Sequence, residues 1–265
     1  GVYRVVATLN VAGEERTWII SNPVFLKGPS AETLLSMQGT PYELSPIVVM
    51  KKDIAYIEGG ADPAKQKLDL FVPKVKKNVP VLVFIHGGAW RTGDRSLYMP
   101  VGNRFAKEGI LTVLPSYRLA PMHKHPAQIE DIAAAVAWVF KNIAQHGGDA
   151  KRIFVGGHSA GGHLSSLLTL DESYLKKHGL SPKDIRGTIC LSGVYDLVSI
   201  GDSQSSVFGT DMDFRRGASP LFHIPEGAPA LPPFLVSYCQ WDYPTLPWQA
   251  RQFQAALKKA GNSAD

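Results

Sequence analysis

Five short apolar runs, separated by stretches of helical period, set the strongest limit on how this chain can fold. They are PVLVFI at 80–85, GILTVLPSY at 109–117, RIFVGG at 152–157, GTICLS at 187–192 and PFLVSYC at 233–239. Continuous apolar runs of this length suit strands buried on both faces, as in a parallel sheet covered by helices. KLDLFV at 67–72 instead alternates like a half-buried strand. Between the runs, Ile129, Ile132, Val136, Phe140 and Ile143 recur every three or four residues. They predict a helix over 127–145 that stops at Gly147–Gly148. Leu164, Leu167 and Leu168 mark a second helix over 160–170, and a third is expected over 247–260. Such alternation predicts an α/β fold with a mostly parallel central sheet and helices on both faces.

Two regions depart from this rhythm. Residues 194–232 are rich in Asp, Ser, Gly and Pro, and are expected to form a lid-like excursion over the sheet edge. Residues 1–28 read as a β-hairpin, VYRVVATL returning as TWIISNPVFL after AGEE. The SNP-containing return is similar to the closing strands of PHP-type phosphoesterases, which implies the tail of a preceding domain. An N-terminal extension packed on the main domain is the alternative. Residues 29–47 are linker-like, leaving 48–265 as the main domain.

The chain has 265 residues, a hydrophobic fraction of 45% and a charged fraction of 19%, enough for a sizeable core. Its net charge is +5, but the lysines at 51–52 and at 74, 76 and 77 lack the length and aromatic interleaving of a nucleic-acid site. No run approaches the ~20 apolar residues of a membrane helix. No basic-then-apolar secretory leader opens the sequence. Cys190 and Cys239 sit in strand-like runs without metal spacing, so two buried thiols and a reducing, cytoplasmic setting are expected.

The chemistry gathers in FVGGHSAGGH at 154–163. Gly157-His158-Ser159-Ala160-Gly161 is a GxSxG pentapeptide with a buried strand running into it and a helix running out. A serine on so sharp a turn needs small neighbours, exposes its hydroxyl, and has a helix N-terminus beside it to favour developing negative charge. Upstream, His86-Gly87-Gly88-Ala89-Trp90 follows the strand at 80–85. Glycines there let backbone N–H groups approach an oxyanion, and losing one such donor costs ~3 kcal/mol of transition-state stabilisation. Neither glycine-rich turn carries a Walker lysine or a GxGxxG, so no nucleotide cofactor is expected, and no metal.

With SYRLAP at 116–121 and HPAQIED at 125–131, these motifs resemble those of the α/β-hydrolase esterases related to hormone-sensitive lipase. The nearest branch holds bacterial feruloyl and acetyl-xylan-type esterases and kynurenine formamidases. The resemblance spans roughly residues 48–265. It implies Ser159 as nucleophile and the amides of Gly88, Ala89 and Ala160 as oxyanion donors, with Gly87 an alternative to one of them. It also implies Trp90 as a pocket-lining aromatic, joined in the pocket by His158, the variable residue of the elbow. The triad acid should follow the next-to-last strand. Asp242 is the only carboxylate between Glu226 and Asp265; a helix cap or turn aspartate is its bland alternative.

In these hydrolases the order is serine, acid, histidine. The eight histidines are at 86, 123, 125, 146, 158, 163, 178 and 223, and none follows Asp242. His86 is expected to brace the oxyanion turn, His163 to pack behind the serine, and His223 to hold a structural place. The catalytic histidine is therefore expected beyond residue 265, on a loop after a final strand. The chain itself is then expected to be an internal slice of a longer protein. A trimmed sheet edge would offer a surface for a homodimer. The expected activity is hydrolysis of a small short-acyl or aryl ester through an acyl-enzyme, without cofactor. An arylformamidase, or a non-catalytic binding protein on the same fold, are the alternatives.

Overall fold

The computed structural model describes residues 43–265 apart from 75–76, 228–230, 240–241 and 244, together with four strand segments before residue 26. The chain divides into two units, residues 1–44 and 45–265. In the first, β2 (Val6–Val11) pairs antiparallel with β3 (Glu14–Ile19), and β1 (Val2–Tyr3) pairs antiparallel with β4 (Val24–Phe25). The stretch at 29–42, expected as linker, lies outside the described residues.

The second unit is built on a seven-stranded sheet in the order β11-β10-β9-β7-β8-β6-β5. The apolar runs become β7 (Val79–Ile85), β8 (Leu111–Pro115), β9 (Gly148–His158), β10 (Ile185–Leu191) and β11 (Phe234–Ser237), all mutually parallel where they pair. β6 (Lys67–Pro73) runs antiparallel to both β8 and the edge strand β5 (Val48–Ala55). Lys51, Lys52 and Asp53 on β5 are exposed, which is why its sequence gives no clean apolar signal. β6 is more buried than its alternation suggests, because both its faces are covered: the Phe71 ring lies against Gly102, and Leu68 and Leu70 enter the main core.

α1 (Met99–Lys107) packs on the sheet through Gly102, where a Cβ would stand 2.5 Å from the Phe71 ring. Leu70, the neighbour of Phe71, points to the opposite face, into the main core with Val81, Val83, Ile85 and Val113. That face is covered by α2 (Ala127–Asn142) and α3 (Ala160–Leu170), which contribute Ile129, Ile132, Val136, Leu164 and Leu167. α2 gives way to a 3₁₀ turn at Ile143–His146 and ends at Gly147, whose φ of +91° reverses the chain. α4 (Glu172–Lys176) follows α3. The excursion at 194–232 carries two short helices, α5 (Ser205–Phe208) and α6 (Met212–Gly217). Arg215, fully buried, fastens the excursion by donating to the Gly201 and Gly209 carbonyls and pairing with Asp202.

α7 (Thr245–Lys259) closes a second cluster with Phe253 and Leu257 against Phe234, Val236 and Tyr195. Beyond it, residues 263–265 lie parallel to β11: Phe234 N–H donates to Ser263, Asp265 N–H to Phe234, and Val236 N–H to Asp265. Cys190 is buried in β10, as its run suggests, but Cys239 is exposed. β11 ends at Ser237, two residues short of the expected boundary, so Cys239 falls in the following loop. No helix among the described residues is long and apolar enough to cross a membrane.

Candidate active site

Strand order decides which loops meet. β9 lies between β7 and β10, with β11 next to β10, and these strands run parallel. Their C-terminal ends therefore deliver the HGGAW turn, Ser159, the loop after β10 and the Asp242 loop to one edge of the sheet. Ligands bind at that edge in open α/β sheets.

Ser159 occupies the single residue between β9 and α3, with φ +54° and ψ −116°. A non-glycine residue there is strained, and the surroundings hold it in place. Its N–H donates to the Leu191 carbonyl at 2.8 Å, and its own carbonyl accepts from His163 N–H at 3.0 Å. Two residues on, Gly161 is pressed against β7: a Cβ would stand 2.0 Å from the Ile85 carbonyl oxygen and 2.9 Å from that of His86. Only glycine fits there, so the pentapeptide's last glycine is a packing requirement.

The facing turn is also held out of ordinary backbone space. Gly88, Ala89 and Trp90 have φ of +126°, +51° and +59° in succession. A Cβ on Gly88 would stand 2.1 Å from the Thr92 carbonyl oxygen. The Gly88 carbonyl is occupied by the N–H groups of Arg91 and Thr92. The N–H groups of Gly88 and Ala89 donate to no described residue. A Cβ on Gly87 would lie 3.2 Å from Ser159 Cβ, which measures how closely turn and elbow approach. Gly87 N–H itself is taken by the Tyr98 hydroxyl at 3.1 Å, which leaves it no proton for an oxyanion.

Trp90, expected to line a pocket, is 2% exposed. Its Nε1–H donates to His163 Nδ1 at 3.1 Å, and its ring stands edge-on to Phe208. It supports the turn from below and offers substrate almost no surface. Trp90 can only donate and the Ala218 carbonyl can only accept. The two contacts of His163, with Nε2 to Ala218 at 2.8 Å, therefore fix it as the neutral Nε2–H tautomer. Burial accordingly pushes its pKa down to about 4. His86 is stacked on Tyr117 with centroids 4.2 Å apart, and its Nδ1 meets the Gly87 carbonyl at 2.7 Å. Desolvation lowers it to about 4 as well. His223 is spent on the Gly217 carbonyl at 2.7 Å. Among the described residues, no histidine hydrogen-bonds the Ser159 hydroxyl.

His158 is exposed, and its Nδ1 pairs with the Tyr98 hydroxyl at 2.8 Å. Desolvation lowers its pKa while the charge of Asp242 acts in the opposite direction, so that carboxylate lies at the same edge as the elbow. Asp242 closes a tight local turn. Its Oδ2 accepts from Cys239 N–H at 3.2 Å, and its own N–H donates to the Cys239 carbonyl at 3.2 Å.

Sequence reasoning missed two supports. Arg118 of SYRLAP is ion-paired at 2.8 Å with Asp131 of HPAQIED, whose carboxylate also accepts from Gln66. Arg95 pairs with Asp69 at 3.0 Å and with Asp53, and its N–H donates to Ser116 Oγ. The first joins motifs that the sequence shows only as separate strings. No group of His, Cys, Asp and Glu among the described residues is arranged to hold a metal.

A strand–serine–helix elbow beside a strained, amide-presenting turn, on a mostly parallel sheet, is the architecture of the α/β-hydrolase fold. The BD-FAE family model matches residues 68–257, and the chain belongs to that family. It is similar to Esterase LipC of Mycobacterium tuberculosis, 33% identical across 77% of this chain and 55% of LipC. It is also similar to Carboxylesterase NlhH of the same organism, 38% identical across 52% of this chain and 43% of NlhH. These likenesses bear out the resemblance to esterases related to hormone-sensitive lipase. The chain spans about half the length of the curated relatives it matches. An inhibited esterase B from Lactobacillus rhamnosis shares the fold, with a TM-score of 0.72 and 24% identity over 84% of this chain and 76% of that one.

Proposed function

We propose that the protein hydrolyses short-acyl or aryl carboxylic esters through a covalent acyl-enzyme on Ser159. The observation that carries this reading is the strained Ser159 elbow set against a turn whose Gly88 and Ala89 amides are unengaged. Ser159 Oγ attacks the ester carbonyl while its proton passes to a histidine base. The carbonyl oxygen, now negative, accepts from the N–H groups of Gly88, Ala89 and Ala160. The base then returns its proton to the departing alcohol, and water clears the acyl group by the same steps in reverse. Asp242 orients that histidine from the loop after β11.

The base is a histidine other than the eight present in these 265 residues. Two facts support this: no described histidine bonds the Ser159 hydroxyl, and His86, His163 and His223 are committed to backbone carbonyls. The domain reading follows, with 48–265 as part of a catalytic domain and 1–28 as a separate hairpin.

The test is hydrolysis of p-nitrophenyl acetate by the 265-residue chain and by Ser159→Ala. Turnover that disappears in the variant establishes the nucleophile, and overturns the external base unless a partner subunit supplies it. A folded chain that is inert alone, but becomes Ser159-dependent when extended, supports both parts. Equal rates with and without Ser159 under both conditions would reject the serine-hydrolase reading.

A further inference from the structure

We propose that Tyr98 is a positioning residue for ester hydrolysis, its hydroxyl clamping the oxyanion turn to the nucleophile elbow. The proposal rests on the serine-hydrolase reading and deepens it. Gly87 N–H donates to the phenol oxygen at 3.1 Å, and the hydroxyl lies 2.8 Å from His158 Nδ1. A phenol has one proton to give. With Gly87 seated on the oxygen, that proton points to Nδ1 and assigns His158 the Nε2–H tautomer. One side chain thus joins the residue before Gly88 to the residue before Ser159.

Tyr98 is itself well anchored. It ends the short 3₁₀ turn Arg95–Tyr98, whose first residue is held by Asp69, Asp53 and Ser116. Its ring rests on Phe84, the penultimate residue of β7, with centroids 5.6 Å apart. The clamp therefore runs from a buried ion pair, through a rigid ring, to the backbone of the turn. That backbone needs an external hold, because three successive positive φ values are unfavourable by themselves. The bond also occupies Gly87 N–H and so leaves the aimed donors at Gly88 and Ala89.

Without the hydroxyl the turn still exists but its amides lose their aim. That aim is used when the carbonyl oxygen becomes an oxyanion, and much less when the ester first binds. Tyr98→Phe should therefore lower kcat about 10- to 30-fold, with KM within about twofold of wild type. Hydrogen exchange of the Gly87 amide should quicken by at least about tenfold while the melting temperature holds. His158→Leu, which removes the phenol's acceptor, should quicken the same exchange as Tyr98→Phe.

The experiment measures kcat and KM on p-nitrophenyl acetate in a form of the protein that turns over, and exchange at Gly87, for wild type, Tyr98→Phe and His158→Leu, with Ser159→Ala alongside. The split between kcat and KM together with the faster exchange supports the clamp. Unchanged exchange in Tyr98→Phe overturns it, and so does a loss confined to KM. Failure of the underlying reading looks different: wild type and Ser159→Ala then have equal rates in the extended chain as well as in the 265-residue one. The exchange data still decide whether Tyr98 holds the turn.

Discussion

The Ser159 loop and the Asp242 loop leave the same edge of one sheet, yet they are held by opposite means. Ser159 sits between a buried strand and a fully buried helix, its neighbour Gly161 pressed on the Ile85 carbonyl. Asp242 is partly exposed and closes a turn of its own, with Cys239 as its hydrogen-bond partner on both sides. The geometry of Ser159, the proposed nucleophile, is dictated by the core. The geometry of Asp242, the proposed acid, is local, and in that role its functional hold must come from the group it orients. An elbow can be complete by itself, whereas a triad acid is completed only by its partner.

The largest effect expected is from Ser159→Ala, which should lower kcat/KM by ~10³-fold or more while leaving the melting temperature unchanged. Asp242→Asn should follow with a fall in kcat of ~10²- to 10⁴-fold, again without loss of stability. If its rate stays within about threefold of wild type in a form of the protein that turns over, Asp242 is a turn residue only, and the comparison breaks at that loop. Gly161→Ala tests the other side. Overpacking against the Ile85 carbonyl should cost about 3 kcal/mol in denaturant unfolding, and a variant of normal stability would mean that the elbow is looser than its contacts indicate. Asp131→Asn should cost a similar ~3 kcal/mol, because it leaves the Arg118 guanidinium without its buried partner.

The smallest effect is one of pH. Burial holds His125 at about 3, and His86 and His163 at about 4, all below the ordinary value near 6.5. As pH falls the unfolded chain takes up these protons first. Stability is therefore complete above about 6.5 and is lost progressively towards 3–4. Denaturation midpoints should be flat from pH 8 to 7 and fall below 6.5. His125→Phe, at a ring already packed between Phe208 and Phe214, should make that fall shallower. An unchanged slope would show that His125 titrates normally.

The same contrast explains what the sequence makes visible. The elbow and the HGGAW turn are contiguous strings beside apolar strands, so both their placement and their surroundings can be read directly. Five parallel strands and the helices α2, α3 and α7 are legible for the same reason. β5 is not, because an edge strand with three exposed charged residues has no apolar face to announce it. α1 begins near a proline and contains Gly102, a poor helix former retained for its fit against Phe71. Tyr98 touches residues 11 and 60 positions away, and Arg118 reaches Asp131 across 13. No local pattern marks such pairs. Trp90 shows the limit of position alone: its place in the motif suggests a pocket wall, whereas its ring lies in the core.

The contact between Gly161 and the end of β7 brings main chain against main chain, with no side chain between. The spacing of nucleophile and oxyanion turn is then governed by atomic radii and not by any choice of rotamer. Residues around the mouth of the site can change in evolution while that spacing stays the same. A chain built this way can vary the entrance to its site without disturbing the distances inside it.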